Sequence, residues 1–253
     1  MFRTVSEPYE PENLLDRVSD PDTLELHYAQ VKRRERELLA RLLPLDGGDV
    51  LSVGAGWHVG RHLFPAPAWR LTAVDLDLNA VRHATQTAQA DDALVASAGE
   101  LPFDPESFDV VLYRLVLHHV AYKRPLGPVI AEAARLLRPG GALVAVEPGL
   151  FHPVGAALAV ANRVGLAGRV HGTVDDLPLS PIKLRAHARS AGLEPQVHAV
   201  TFAWRRLPPV IQRAVYPVDR FGSAPLLRDL GHHLLFFARR PPRHSRGSAV
   251  GGG

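Results

Sequence analysis

The chain has 253 residues, of which 46% are hydrophobic and 22% charged, enough for one large α/β domain with a sizeable core. The formal net charge is +3, and because the basic residues are scattered along the chain, we expect no nucleic-acid partner. The absence of cysteine excludes disulfides, cysteine-ligated zinc, iron–sulfur clusters and a cysteine nucleophile.

The N-terminal stretch MFRTVSEPYEPE is acidic and contains prolines, which is not the pattern of a signal sequence. No segment approaches the roughly 18 uninterrupted apolar residues of a membrane span. We therefore expect a cytoplasmic protein without a membrane partner. Within an N-terminal unit, 1–45, a loose polar arm precedes a helix that is capped by Asp22 or Thr23 and runs to about Leu43. This helix is a candidate lid over the strands that follow.

An alternation of strands and helices follows in a domain that we place at 46–240. Short apolar runs predict strands, and apolar residues at helical spacing predict helices between them. Such an alternation indicates right-handed βαβ units and a parallel sheet with helices on both faces. The predicted strands are 50–53, 71–75, 93–97, 108–113 and 142–146, and the predicted helices are 58–64, a helix capped by Asp77, and 126–138.

The pattern loosens after Glu147-Pro148. Ser180-Pro181 is typical of a helix start and predicts a helix to about Ala191. Two further strands are predicted at 197–204 and 234–238. The segments 149–180 and 205–230 are expected to be lids or insertions, and the composition of 241–253 predicts a disordered tail.

The first strand ends in the glycine turn of VLSVGAG, residues 50–56. Gly54 and Gly56 allow a sharp turn and a close approach of the backbone to a ligand. By themselves these residues fit a structural turn as well as a cofactor loop. Asp75 ends the second strand, 21 residues after Gly54, where a carboxylate can accept both hydroxyls of a ribose. Helix capping is the alternative role for Asp75, but Asp77 is better placed for it.

Two further stretches are more specific: ELPFDPESFDVVLYRLVLHHV, which leads into and out of the fourth strand, and EAARLLRPGGALVAVEP, which leads into the fifth. With VLSVGAG, TAVDLD and LSPIKLRAHARSAGL, they make the chain resemble the class I S-adenosylmethionine-dependent methyltransferases, in particular the type 11 small-molecule branch, over about residues 49–200. The resemblance implies an α/β, Rossmann-like, seven-stranded sheet in the order 3-2-1-4-5-7-6, with the last strand antiparallel and helices on both faces. The implied cofactor is S-adenosyl-L-methionine, and the implied partner is a small-molecule acceptor.

The resemblance also implies roles by position. The glycine turn lies against the methionine part of the cofactor, Asp75 holds the ribose, and residues 97–99 border the adenine. Of the histidine pair that follows the fourth strand, His119 is the preferred catalytic residue, and His118 is the less favoured member. The implied cofactor-binding residues are Ser52, Gly54, Ala55, Gly56, Asp75, Leu76, Ser97, Ala98, Tyr113 and Arg114.

Departures from the family pattern leave alternatives open. Ser52 and Ser97 stand where members often carry an acidic residue, and Trp57 interrupts the usual glycine spacing. A weak or inactive homologue that acts as a partner or regulatory subunit is therefore the alternative function, and a homodimer or protein partner is left open. A nucleotide-dependent oxidoreductase is a third hypothesis, disfavoured by the two specific stretches.

Two smaller expectations concern Glu147 and the late histidines. Glu147, at the end of the fifth strand, is expected either to line the pocket or to accept hydrogen bonds from loop amides. No metal ligands are predicted, because His232 and His233, as neighbours in a strand, should point to opposite faces.

Overall fold

A computed structural model describes residues 21–57, 59–166 and 177–243, without the side chains of the first three. Along these ranges the chain alternates helices and strands, and it forms a 3₁₀ turn at Tyr216–Phe221. The elements are α1 (Pro21–Leu42), β1 (Gly48–Val53), β2 (Trp69–Asp75), α2 (Leu78–Gln86), β3 (Asp92–Val95), β4 (Phe108–Arg114), α3 (Leu117–Lys123), α4 (Leu126–Leu136), β5 (Leu137–Pro148), α5 (Pro153–Arg163), α6 (Pro181–Ser190), β6 (Glu194–Thr201), α7 (Pro209–Val215) and β7 (His233–Arg239).

The seven strands form a single sheet in the order β3-β2-β1-β4-β5-β7-β6. The strands β1 to β5 are mutually parallel, and β7 runs antiparallel to both β5 and β6. The predicted fold class is thereby confirmed. The strand order reverses between β1 and β4, and in sheets of this kind ligands bind at the carboxyl ends of the strands beside that reversal.

Side chains alternate across the strands and form two apolar layers. Leu51, Val111 and Tyr113 lie in the layer covered by α4, which contributes Ile130. The intervening strand residues face the opposite layer, which α1 covers with Val31, Leu38 and Leu39. Both faces of the central strands are therefore buried, which explains their nearly continuous apolar sequence.

The boundaries of several elements differ from the predictions. The helix predicted at 58–64 is wrong over its described part, because 59–64 forms turns and Gly60 has a φ of +86°. The strand β5 starts five residues earlier than predicted, since Leu137 already pairs with Phe108. Two predicted caps are confirmed, since the side chains of Asp77 and Ser180 accept hydrogen bonds from the first turns of α2 and α6. The cap predicted at Asp22 or Thr23 is wrong, because α1 already begins at Pro21 and both residues lie within it.

The predicted division into an arm, a domain with lids and a tail stays a prediction. The polar arm 1–20, most of the tail and residues 167–176 of the first lid segment lie outside the described residues. Within the second lid segment, 205–230, the described chain forms α7 and the 3₁₀ turn. Among the described helices, none is both long enough and apolar enough to cross a membrane.

Candidate functional site

The glycine turn after β1 is shaped by two residues with positive φ, Gly54 at +64° and Gly56 at +50°. The amides of Gly54 and Ala55 both donate to the carbonyl of Val74, at 2.8 and 3.1 Å, which ties the turn to the end of β2. A Cβ on Gly54 would collide with Val116, whereas a Cβ on Gly56 would meet nothing within 4 Å. Gly54 is therefore required for packing, and Gly56 faces open space.

The two glycines provide a matched pair of substitutions. Gly54→Ala combines backbone strain with overpacking against Val116 and should lower the free energy of unfolding by about 2–4 kcal/mol. Gly56→Ala carries only the backbone strain, about 1–2 kcal/mol, but places a methyl group in the open space. Urea unfolding of both variants measures the difference, and equal losses of stability would contradict this description of the turn.

The carboxylate of Asp75 holds the turn in place. Its Oδ2 accepts from the amide of Gly56 at 2.7 Å, and its Oδ1 accepts from the amide of Asp77 at 2.9 Å. Each carboxylate oxygen has a second lone pair, so both can accept one further hydrogen bond. The predicted alternative role, capping α2, belongs to Asp77, whose side chain accepts from the amide of Asn79.

A cavity of about 570 Å³ opens beside this turn, at the carboxyl ends of β1, β2 and β4. Its volume is within the range of small-molecule sites, about 300–1,000 Å³. Leu76 lies at its edge with 72% of its surface exposed, an apolar face that is available to a ligand. The lining residues are Gly54, Gly56, Trp57, Asp75, Leu76, Asp77, Ala80, Ala96, Ser97, Ala98, Leu115, Val116, His119, Val120, Lys123 and Arg124.

Most of the predicted site residues meet in this cavity. The structure brings together Gly54, Gly56, Asp75, Leu76, Ser97, Ala98 and His119. It does not bring four others to the cavity wall: Ser52, Ala55, Tyr113 and Arg114. Ser52 and Ala55 are buried in β1 and in the turn, so neither residue borders the cavity.

Tyr113 and Arg114 have structural surroundings instead. Tyr113 is fully buried, because it shares with Val111 the strand face that packs into the core. This burial raises the pKa of its phenol far above the usual range. Arg114 binds Glu35 of α1 through two hydrogen bonds of 3.1 and 3.2 Å.

Glu35 is completely buried and also accepts a hydrogen bond from His62 at 2.9 Å. Burial by itself raises the pKa of this carboxyl, but the hydrogen bond from His62 and the charge of Arg114 outweigh it and lower the pKa below its usual value. The Glu35–Arg114 ion pair fastens α1 to the end of β4, and the lid role of this helix stays a prediction.

The segment after β4 is organised by Glu147, the acidic residue at the end of β5. Its Oε1 accepts from the amides of Val116 and Leu117 at 3.1 and 2.9 Å, and its Oε2 lies 2.6 Å from Nδ1 of His118. Of the two roles left open for Glu147, the structure supports hydrogen bonding to loop amides. The carboxylate also fits the positive end of the α3 dipole.

The two adjacent histidines of α3 have different surroundings. His118 is buried against Glu147, and His119 lines the cavity. Their rings are 4.1 Å apart between centroids. The rings lie this close because successive residues of a helix are only about 100° apart around its axis. The orientation of α3 nevertheless directs His119 alone into the cavity.

Several lining residues were missed by sequence analysis. Trp57 packs against His83 with ring centroids 4.7 Å apart, directly after the glycine turn. Lys123 follows His119 by four residues, a spacing that places both on one helix face, so helical periodicity could have found it. Leu115 has a φ of +57°, and this strained turn, which no sequence pattern marked, redirects the chain from β4 into the cavity wall.

The expectation that His232 and His233 point to opposite faces is wrong. The strand β7 begins at His233, so His232 lies before the strand and the alternation of a strand does not apply to it. The two rings stack at 4.8 Å with an interplanar angle of 15°. Together with His27 of α1 they form a buried group of three imidazoles, although no metal ligands were predicted.

Comparison with known proteins shows the family to which the chain belongs. Residues 51–145 match the type 11 family model described as a methyltransferase domain. The 27-O-demethylrifamycin SV methyltransferase of Amycolatopsis mediterranei (strain S699) is 36% identical over 193 residues, which cover 73% of this chain and 68% of that protein. The chain belongs to the class I S-adenosylmethionine-dependent methyltransferases.

Solved structures of such methyltransferases share the fold. The methyltransferase in the complex with the Haloferax volcanii Trm112 methyltransferase activator has a TM-score of 0.60 and 18% identity, covering 92% of this chain and all of that one. Geranyl diphosphate C-methyltransferase from Streptomyces coelicolor A3(2) has a TM-score of 0.58 and 15% identity, covering 91% of this chain and 87% of that one. The family match and the curated relative confirm the predicted enzyme class, a methyltransferase, and the solved structures confirm the fold.

Proposed function

We propose that this methyltransferase binds S-adenosylmethionine in the 570 Å³ cavity and methylates a hydroxyl group of a small molecule. The observation that carries the proposal is that one cavity is lined by the glycine turn, Asp75 and His119 together. The glycine turn and Asp75 suit a nucleoside with an extended amino-acid chain, and His119 suits an acceptor that has to lose a proton.

The residues present fit the cofactor. The open space beside Gly56 admits a ligand against the backbone, and the free lone pairs of Asp75 are placed for the two ribose hydroxyls. Leu76 and Ala98 offer apolar surface for the adenine ring, and Ser97 offers a hydroxyl to its polar edge. When bound, the cofactor supplies a methyl group on a positively charged sulfur, which is already a good leaving group.

The protein's main task is therefore alignment of the acceptor with the methyl group. Bound in the cavity, S-adenosylmethionine would supply the methyl group to the acceptor oxygen, and its sulfur would keep the electron pair of the broken carbon–sulfur bond. His119 takes the proton that the hydroxyl releases. His118 and Glu147 hold the first turn of α3 and so fix the position of His119.

The acceptor class rests on the curated relative. That relative is 36% identical to this chain, and its name contains a small-molecule acceptor that lacks a methyl group on an oxygen. A hydroxyl acceptor is consistent with a histidine in the cavity, because a neutral alcohol gains nucleophilicity as its proton is removed. Lid roles for 149–180 and 205–230, and a homodimer or protein partner, remain predictions.

Asp75→Ala tests the cofactor site. Removing the carboxylate should weaken binding of S-adenosylhomocysteine by about 2–3 kcal/mol, or roughly 30- to 150-fold in Kd, since charged hydrogen bonds to the ribose and to the Gly56 amide are lost. Isothermal titration calorimetry gives the Kd. Asp92→Ala is the control, because Asp92 is exposed, pairs with Arg70 and does not line the cavity. Equal affinities of the two variants would place the ribose elsewhere.

A further inference from the structure

Three buried histidines meet at the start of β7, and none of them is among the residues that line the cavity described above. The cluster consists of His27 of α1 and the neighbours His232 and His233. The ring of His27 lies 6.1 Å from that of His232 and 5.7 Å from that of His233, measured between centroids. One ring nitrogen from each residue lies within 4.8 Å of the others, and at most 8% of any of the three residues is exposed.

The cluster contains polar atoms without partners. Among the described residues, neither ring nitrogen of His27 has a hydrogen-bond partner, and Nδ1 of His233 has none either. His27 has no exposed surface at all. Since buried polar groups in folded proteins are nearly always paired, three such nitrogens side by side indicate a ligand that the polypeptide does not supply.

Burial affects the ionisation of all three histidines. Burial, followed by the nearby charge of Arg205, lowers the pKa of His27 to about 4. Burial and the surrounding positive groups hold the pKa values of His232 and His233 well below their usual range.

We propose that His27, His232 and His233 together bind one divalent transition-metal ion of the zinc class. Three nitrogen donors suit zinc, cobalt, nickel or copper and do not suit magnesium or calcium, which prefer oxygen. Nitrogens bound to one such ion lie within about 4 Å of one another. The ring nitrogens of the three histidines lie within 4.8 Å of one another, so ring shifts on the order of 1 Å would bring them to that distance. The backbone of His232 is already fixed, because its amide donates to Thr201 and its carbonyl accepts from Gly149.

The fourth histidine of the region, His152, is excluded from the donor set. Its ring is 5.0 Å from that of His232, but its Nδ1 accepts from the amide of Val154 and its Nε2 bonds to the carbonyl of Phe202. Both nitrogens are thus used in the protein, and water completes the coordination of the ion.

The ion has a structural role, because its ligands come from two distant parts of the chain and none is open to solvent. It fastens α1 to the start of β7, next to the Glu35–Arg114 ion pair that holds the same helix further along. Two charged neighbours oppose it. Arg205, whose guanidinium donates to the hydroxyl of Tyr28, repels a cation at His27, and Arg114 repels a cation at His233.

The test uses full-length protein without a histidine tag, stripped of metal by a chelator and titrated with Co²⁺ and then Zn²⁺. We expect one Co²⁺ per chain, with visible absorption bands, displaced by one Zn²⁺ that also raises the Tm. His27→Gln and His233→Gln should each weaken binding at least 100-fold. His83→Gln, outside the cluster, should bind as the wild type does. Arg205→Gln should bind several-fold more tightly, because the opposing charge is gone.

Binding that is absent, or that is unchanged in His27→Gln, would overturn the proposal and leave water as the ligand of the cluster. Circular dichroism and binding of S-adenosylhomocysteine show whether each variant is folded. The Arg205→Gln variant keeps all three ligands, so its tighter binding supports the site even where a histidine variant fails to fold, and unchanged binding contradicts it.

Discussion

His119→Ala is expected to lower kcat for methylation of a hydroxyl acceptor by about 10²- to 10⁴-fold, the usual contribution of a general base. His119 is the histidine that the orientation of α3 directs into the cavity. The affinity for S-adenosylhomocysteine should change by only a few-fold, since the glycine turn and Asp75 are untouched. The two measurements together separate a role in proton transfer from a role in cofactor binding.

The assay uses 27-O-demethylrifamycin SV, the acceptor named for the curated relative, as the first probe, with product detected by mass spectrometry. His198→Gln is the matched control, because His198 lies on β6, bonds to Ser223 and does not line the cavity. A loss of kcat in His119→Ala no larger than in the control would contradict the assigned role. A loss confined to the Kd of the cofactor would make His119 a binding residue.

Glu35→Ala is expected to destabilise the fold by about 3–5 kcal/mol, because it leaves the buried guanidinium of Arg114 without its partner. Replacing both residues, as in Glu35→Leu with Arg114→Met, should recover most of that loss, since the double variant contains no unpaired charge. Urea unfolding gives the free energies. The exposed pair Arg70–Asp92 is the comparison, and Asp92→Ala should cost no more than about 1 kcal/mol.

The contribution of Glu35 to the free energy of unfolding should also depend on pH. Because the folded state lowers the pKa of its carboxyl from the usual 4.5, the resulting stability is present above that pH and is lost as the pH falls through the lower folded value. The difference in unfolding free energy between wild type and Glu35→Gln should therefore shrink in acid. A difference that stays constant from pH 7 down to pH 3 would show that folding does not lower the pKa of Glu35.

The parts of the site that could be predicted from the sequence are those set by local backbone chemistry. The glycine turn needs residues without a Cβ at positive φ, and Asp75 ends the neighbouring strand, so both lie at the same sheet edge by topology. The cap residues Asp77 and Ser180 were found for the same reason, since capping is decided within four residues.

The parts that could not be predicted depend on contacts between distant residues. The pairing of Arg114 with Glu35 spans 79 positions, and no local pattern marks it. Tyr113 could have been placed correctly, because a strand period of two from Val111 puts it in the core. The stacking of His232 on His233 could not be predicted because it depends on the residue at which β7 begins. The ends of strands are the least certain part of a sequence-based prediction.

The most direct test of the proposed function is a crystal structure of the protein with S-adenosylhomocysteine. The ribose hydroxyls should lie within hydrogen-bond distance of the Asp75 carboxylate, the amino-acid end should lie along Gly54 and Gly56, and the sulfur should face His119. Electron density for the ligand outside this cavity, or with the ribose turned away from Asp75, would contradict the proposed function.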